Sequence, residues 1–331
     1  MKGLLILLPG MRKQFEEKNK RVKNLILSLK RPYLKGELFS KIKKPKKIVF
    51  CGMGGSGLGA KLFLSLKDYF GIKEKIELVQ DFENSKIEPF SLVISVSYSG
   101  KTKETISFTK KVYLKKIPLI IVTSDGFLLN FAKRKKINYF LLPKSYLPRE
   151  TVFSQFFIFG EIFEKANLTK FWQKIPKFDL KYDFSLAEKI AKKISKKIVL
   201  IYATKKNSYL SYDLKLRLEE DALTCAFEGI LPEAIHNDLA ALKFFSDQLF
   251  VIFLKSIDDF KKNKKIIKLI GKNLKKWHLD FEVISLKEKN PIKRYFSQVV
   301  LNTLISLNLK KIKKIDQNFQ IKFLSEFKKR I

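Results

Sequence analysis

At 331 residues, with 46% hydrophobic content and thirty Phe, the chain has apolar surface enough for about two globular domains. Two cysteines, Cys51 and Cys225, are too few for a disulfide framework or a zinc set, and the Gly3–Leu8 apolar run is too short to span a bilayer before Pro9-Gly10 ends it, so a cytoplasmic chain without a membrane anchor is expected. The net charge of +36 comes from 68 basic against 32 acidic residues, but only eight of the basic residues are Arg and the Lys is spread along most helices, which argues for a solvated surface rather than a specific nucleic-acid site.

Residues 11–31 place apolar side chains at helical spacing and are followed by a basic linker. From Lys47 apolar runs alternate with helix-period segments. Strands are predicted near 47–51, 75–80, 91–96, 117–123 and 138–142, and helices near 57–70, 102–115, 126–136, 150–166 and 185–195. At Ile198 the pattern restarts with a strand at 198–203, a helix at 207–221, a short strand at 223–227 and a helix at 233–245. A strand at 249–254, a helix at 259–276, a strand at 281–285 and helices at 293–308 and 318–330 complete it. Such alternation predicts an α/β protein with two doubly wound parallel sheets, a helical linker and a C-terminal helix. The domains are expected over 1–150 and 151–331.

Two short stretches follow apolar runs and open onto helices: Cys51-Gly-Met-Gly-Gly-Ser-Gly57 and Ser97-Tyr-Ser-Gly-Lys-Thr102. Small residues between a strand and a helix leave backbone N–H groups and a helix N-terminus free to hold phosphate. The same residues also serve as ordinary helix caps. The first stretch satisfies G-x-G-x-x-G, but the acidic residue after the next strand, Asp81, comes about thirty residues on rather than ~20, against a dinucleotide site. The second resembles the end of a Walker loop but has Ser95 where the leading Gly is needed. The second half has Ala203-Thr-Lys-Lys-Asn-Ser208 where a glycine-rich loop would stand.

These loops resemble the phosphosugar-binding loops of the sugar isomerase (SIS) superfamily. Leu147-Pro-Arg149, the sixteen-residue spacing from Glu220 to His236, Pro232-Glu-Ala-Ile-His-Asn-Asp238 and the terminal Phe327-Lys-Lys-Arg-Ile331 are similar to the bifunctional phosphoglucose/phosphomannose isomerases, over nearly the whole chain. The resemblance implies two SIS domains, the first carrying the phosphate loops. It also implies interconversion of glucose 6-phosphate and mannose 6-phosphate with fructose 6-phosphate through a cis-enediol, with no cofactor and no metal.

That reaction needs a base to carry a proton between C2 and C1, and a donor–acceptor pair to open the sugar ring. The resemblance makes Glu220 the base and His236 the ring-opening imidazole, contributed across a homodimer interface. It gives Arg149 the enediolate oxygen and Lys328 a part in ring opening, and assigns the phosphate to Gly55, Ser56, Ser97, Ser99 and Thr102. The chain departs from the family in flanking the base with Glu219 and Asp221, two acids expected to raise its proton affinity. The alternatives are another SIS ketol-isomerase acting on amino-sugar phosphates, and a non-catalytic sugar-phosphate-sensing regulator.

Overall fold

A strand with neighbours on both sides and helices on both faces needs apolar residues at nearly every position, not at alternate ones. Lys47–Cys51 and Ser91–Ser97 meet that requirement and are buried along their whole length. The computed structural model describes residues 36–37, 42–81, 87–144, 146–178, 183–245 and 247–316. The helices expected at 11–31 and 318–330, and Lys328 with them, lie outside the described residues.

Two compact units are formed, Met1–Lys177 and Phe178–Ile331. The first contains β1 (Gly36–Glu37), β2 (Lys47–Cys51), β3 (Lys75–Val79), β4 (Ser91–Ser97), β5 (Leu119–Thr123) and β6 (Asn138–Leu141), in the order β1-β6-β5-β4-β2-β3. All pairings are parallel except β1 on β6. Its helices are α1 (Leu58–Ser65), α2 (Lys67–Phe70), α3 (Lys103–Leu114), α4 (Gly126–Lys135), α5 (Val152–Lys165) and α6 (Phe171–Lys174). The helix expected over 57–70 is thus two, divided at Leu66, whose ψ of 5° leaves the helical region.

From β2 the chain goes to β3 on one side and then to β4 on the other. This reversal of winding direction opens a crevice at the carboxyl ends of β2 and β4, the usual ligand position in such sheets. Phe63 on α1 lies 4.6 Å from Phe163 and 5.5 Å from Phe156 on α5, ring centre to ring centre, and 5.4 Å from Phe70. Burial of each such ring stabilises by about 1.5–3 kcal/mol. Because α5 packs on α1 in this way, residues 151–177 belong with the first unit, and the division falls after Lys177 rather than after residue 150.

The second unit contains β7 (Ile198–Thr204), β8 (Ala226–Leu231), β9 (Leu249–Ser256) and β10 (Phe281–Leu286), all parallel, in the order β10-β9-β7-β8. Its helices are α7 (Phe184–Lys193), α8 (Ser208–Ala222), α9 (Ala234–Asn237), α10 (Leu239–Leu242), α11 (Lys261–Lys276) and α12 (Pro291–Ile312). Asp183 and Asn290 cap α7 and α12 by accepting from Leu186 N and Lys293 N. The strand expected at 223–227 begins three residues later, because Leu223 closes α8 in the left-handed conformation at φ 45°. The single helix expected over 233–245 is instead the two short turns α9 and α10 and a 3₁₀ turn, Lys243–Phe245. Among the described residues no helix is long and apolar enough to cross a membrane.

Candidate active site

The two phosphate-type loops lie at the ends of β2 and β4, which pair in parallel up to Cys51 opposite Ser95. They are tied to each other: the Tyr98 backbone N–H donates to Ser56 Oγ at 3.1 Å. Ser97 is buried, and its hydroxyl bonds that of half-buried Thr102 at 2.9 Å. Exposed Ser99 accepts from Lys101 N at 3.2 Å, tightening the turn. Neither Gly57 nor Thr102, at the entries to α1 and α3, makes a side-chain cap bond. The hydroxyls therefore link loop to loop and turn to turn, and the first N–H groups of α3 are left without a side-chain cap from Thr102.

Two glycines set the second loop. Gly100 has φ +63°, and a Cβ on it would lie 1.9 Å from Asp125 O. Gly126 has φ +81°, and its Cβ would lie 2.2 Å from Ser99 O. The turns after β4 and β5 thus interlock backbone to backbone. Ser124 Oγ adds a bond to Tyr98 O at 2.7 Å.

Arg149 is brought to the same place. Residues Pro148–Thr151 form a 3₁₀ turn in which the Glu150 carboxylate accepts from Leu147 N at 3.0 Å. A Cβ on Gly55 would meet Arg149 N at 2.7 Å, so the first loop rests directly on this turn. The Tyr98 hydroxyl donates to Pro143 O at 3.1 Å and accepts from Tyr146 N at 2.9 Å, holding the segment that leads into it. The first unit therefore brings Ser56 against the Ser97–Thr102 turn and the Arg149 backbone against Gly55.

In the second unit Glu220 is half-buried near the end of α8. One to two turns before Glu220 the helix is clamped by Asp213 and Arg217, both fully buried and 2.9 Å apart, with Asn302 of α12 donating to Asp213 at 2.9 Å. Burial pulls the Arg217 pKa down, but the adjacent Asp213 charge more than offsets it and the guanidinium is held above its ordinary value. Breaking such a pair by removing one partner costs about 3–5 kcal/mol. Near Glu220, burial first, and then the Glu228 and Glu220 charges, hold the Tyr212 phenol above its ordinary range, so it stays protonated. The two acids flanking Glu220 have partners of their own. Asp221 is buried and accepts from Ser306 Oγ at 2.8 Å, and Glu219 pairs with Lys215 at 2.9 Å.

His236 is exposed on α9. Its short turn is anchored by the Tyr202 hydroxyl, which donates to Asp238 at 2.9 Å, and by Ile235, Leu239 and Leu242 packed over Tyr202 and Ile270. Among the described residues no group of three or more His, Cys, Asp and Glu side chains is placed to hold a metal ion. Sequence reading missed Gln155 and Glu150, which organise the loops without belonging to them, and the part that Tyr98 plays within the second loop. A signal existed for Gln155, an amide inside the apolar stretch Val152–Phe163.

Residues 184–331 match the family described as the bacterial phospho-glucose isomerase C-terminal SIS domain. A bifunctional phosphoglucose/phosphomannose isomerase of Aquifex aeolicus is 28% identical over 261 residues, 76% of this chain and 79% of that protein. A D-glucosamine-6-phosphate 4-epimerase of Sulfolobus acidocaldarius is 27% identical over 203 residues, 60% of this chain and 64% of that protein. The solved structure of a glucose-6-phosphate isomerase from Chlamydia trachomatis has the same fold, with a TM-score of 0.62 at 14% identity over 98% of this chain and 75% of that one.

Proposed function

We propose that the chain acts as a bifunctional phosphoglucose/phosphomannose isomerase, a reading supported by the match of residues 184–331 and by the likeness to the Aquifex isomerase, and that it interconverts glucose 6-phosphate and mannose 6-phosphate with fructose 6-phosphate by moving a proton between C2 and C1. The observation that carries this reading is the bond from Tyr98 N to Ser56 Oγ, which joins two hydroxyl-bearing loops into one phosphate cup at the strand ends. On this reading the phosphate is received by the Ser56, Ser99 and Thr102 hydroxyls and the α3 N-terminus, with Ser97 orienting Thr102. Arg149, beside Gly55, stabilises negative charge on the enediolate oxygen. Glu220 takes the proton from one carbon and returns it to the other. His236 opens the ring in the neighbouring subunit of a homodimer, a role that its exposed position supports. Lys328 is assigned a part in ring opening.

The test is a metal-free assay of fructose 6-phosphate conversion to both aldose phosphates, run beside Glu220→Gln. We expect both products from the wild type and a loss of about 10²- to 10⁴-fold in kcat for the variant. Equal activities would remove Glu220 as the base. Mixing Glu220→Gln with His236→Ala chains is expected to restore part of the activity, because one site of each mixed dimer keeps both groups. A mixture as inactive as its components would show that His236 does not act across subunits. A second reading, action on amino-sugar phosphates, is supported by the likeness to the Sulfolobus epimerase. Turnover of glucosamine 6-phosphate with none of fructose 6-phosphate would favour it.

A further inference from the structure

We infer that Gln155 is a positioning residue that sets the first phosphate loop and the Arg149 turn as one piece, an inference that rests on the isomerase reading above. Gln155 lies on α5, fully buried in a segment otherwise lined with phenylalanine. A buried primary amide is costly unless its groups are bonded, and here both ends are used. Its Oε1 accepts from Gly59 N at 3.1 Å, in the first turn of α1. Its Nε2 donates to Gly55 O at 3.1 Å and to Thr151 Oγ1 at 3.0 Å. Thr151 Oγ1 donates in turn to Pro148 O at 2.7 Å, within the turn that carries Arg149.

One side chain thus fastens the phosphate loop, the start of α1 and the arginine turn. The fit leaves no room for slack. A Cβ on Gly59 would stand 2.4 Å from Gln155 Cβ, and one on Gly55 would stand 2.7 Å from Arg149 N. Gln155 lies beneath the loops and touches no substrate in this scheme. It acts through the placement of Gly55 and Arg149, so that phosphate and enediolate stabiliser keep a fixed separation.

Gln155→Glu isolates the role. The variant keeps the shape and the acceptor for Gly59 N, but a carboxylate cannot donate to Gly55 O or Thr151 Oγ1, whereas a protonated carboxyl can donate to one of them. Burial raises the pKa of such a carboxyl and brings the change into a workable pH range. KM and kcat for the sugar phosphate, the inhibition constant of inorganic phosphate and the melting temperature are measured from pH 5.5 to 8.5. We expect KM and the phosphate constant to rise together by about tenfold at the alkaline end, and both to recover toward wild-type values at the acid end. A lowered melting temperature with both constants unchanged would mean a structural role only and would overturn the inference.

Should Gln155→Glu fail to fold, Thr151→Val removes one partner of the amide and the tie to Pro148 at nearly constant volume. A smaller parallel rise is expected, and unchanged constants would again overturn the inference. Calorimetric titration with inorganic phosphate reads the cup without turnover. Loss of phosphate affinity in the variant beside a wild type that fails to isomerise hexose phosphates would therefore sink the substrate assignment and leave the role of Gln155 standing.

Discussion

The two sheets share a plan, with β2 flanked by β3 and β4 as β7 is flanked by β8 and β9, yet the turns at their carboxyl ends do opposite things. In the first unit the turns after β2 and β4 contain glycine and hydroxyl residues and no acid. In the second unit the matching turns close on a carboxylate of their own. Asp259, after β9, accepts from Thr204 Oγ1 at 2.6 Å, from Asn207 Nδ2 at 3.1 Å and from Ser256 N at 2.6 Å. Asp258 pairs with Lys206 at 2.7 Å and with Arg294 at 2.5 Å, and accepts from Ser256 Oγ. On the proposed reading, the comparison teaches that the same strand ends can either be offered to an anionic ligand or be filled from within by a carboxylate.

The largest effect that could break the comparison comes from the hydroxyls. Ser56→Ala removes a donor to phosphate and leaves Tyr98 N without its acceptor; a hydrogen bond to a charged group contributes about 1.5–3 kcal/mol, so KM should rise roughly ten- to a hundredfold. Ser208→Ala, at the matching turn of the second unit, removes only a bond to Lys205 O and should leave KM unchanged. Equal effects in steady-state kinetics would abolish the distinction between the two turns.

Asp259→Ala sharpens it next. The Thr204 hydroxyl and Ser256 N lose their acceptor, and the Asn207 amide keeps only Thr204 Oγ1, at a cost of about 1–3 kcal/mol for a buried group left unmet. Differential scanning calorimetry should show a lower melting temperature, by roughly 2–4 °C per kcal/mol. Inorganic phosphate should raise the variant's melting temperature more than the wild type's, because the anion can take the place of the carboxylate. An unchanged melting temperature would show that Asp259 does not hold these turns.

The smallest effect concerns pH. Burial raises the Asp258 pKa, but hydrogen bonds from Lys206 and Ser256 and the charge of Arg294 win, and the group is held below its usual 3.8. Its contribution, about 1 kcal/mol or less for a partly exposed pair, is complete at neutral pH and is lost as pH falls through that lowered value. The stability difference between wild type and Asp258→Asn should therefore hold at pH 6 and shrink below pH 3.8. A difference that persisted unchanged into stronger acid would assign it to something other than this carboxylate.

The central strands were legible because burial on both faces demands continuous apolar runs such as Ile48–Cys51 and Leu92–Ile94. The two turns at the ends of β2 and β4 were legible because glycines and hydroxyls cluster within a few residues. What escaped depends on partners far apart in sequence. Gln155 meets Gly55 a hundred positions away, and Asp259 meets Thr204 fifty-five away. The 233–245 segment has a helical period, but its apolar residues do not all face inward: Phe244 and Phe245 are exposed, and the chain breaks into turns around Asp238, which Tyr202 holds. Asp221 was read as a neighbour of Glu220, whereas the 3.6-residue period turns it toward Ser306 on α12.

The interlocked glycines Gly100 and Gly126 have one more consequence. Immobilising a loose loop on ligand capture costs about 1–2 kcal/mol for each residue fixed, and that sum is subtracted from affinity. Here main chain abuts main chain, so the entropy is surrendered once, when the polypeptide folds, and no rotamer change can release it. On the proposed reading, a sugar phosphate meets a mould already set, and its binding energy is left for the chemistry at the other end of the sugar.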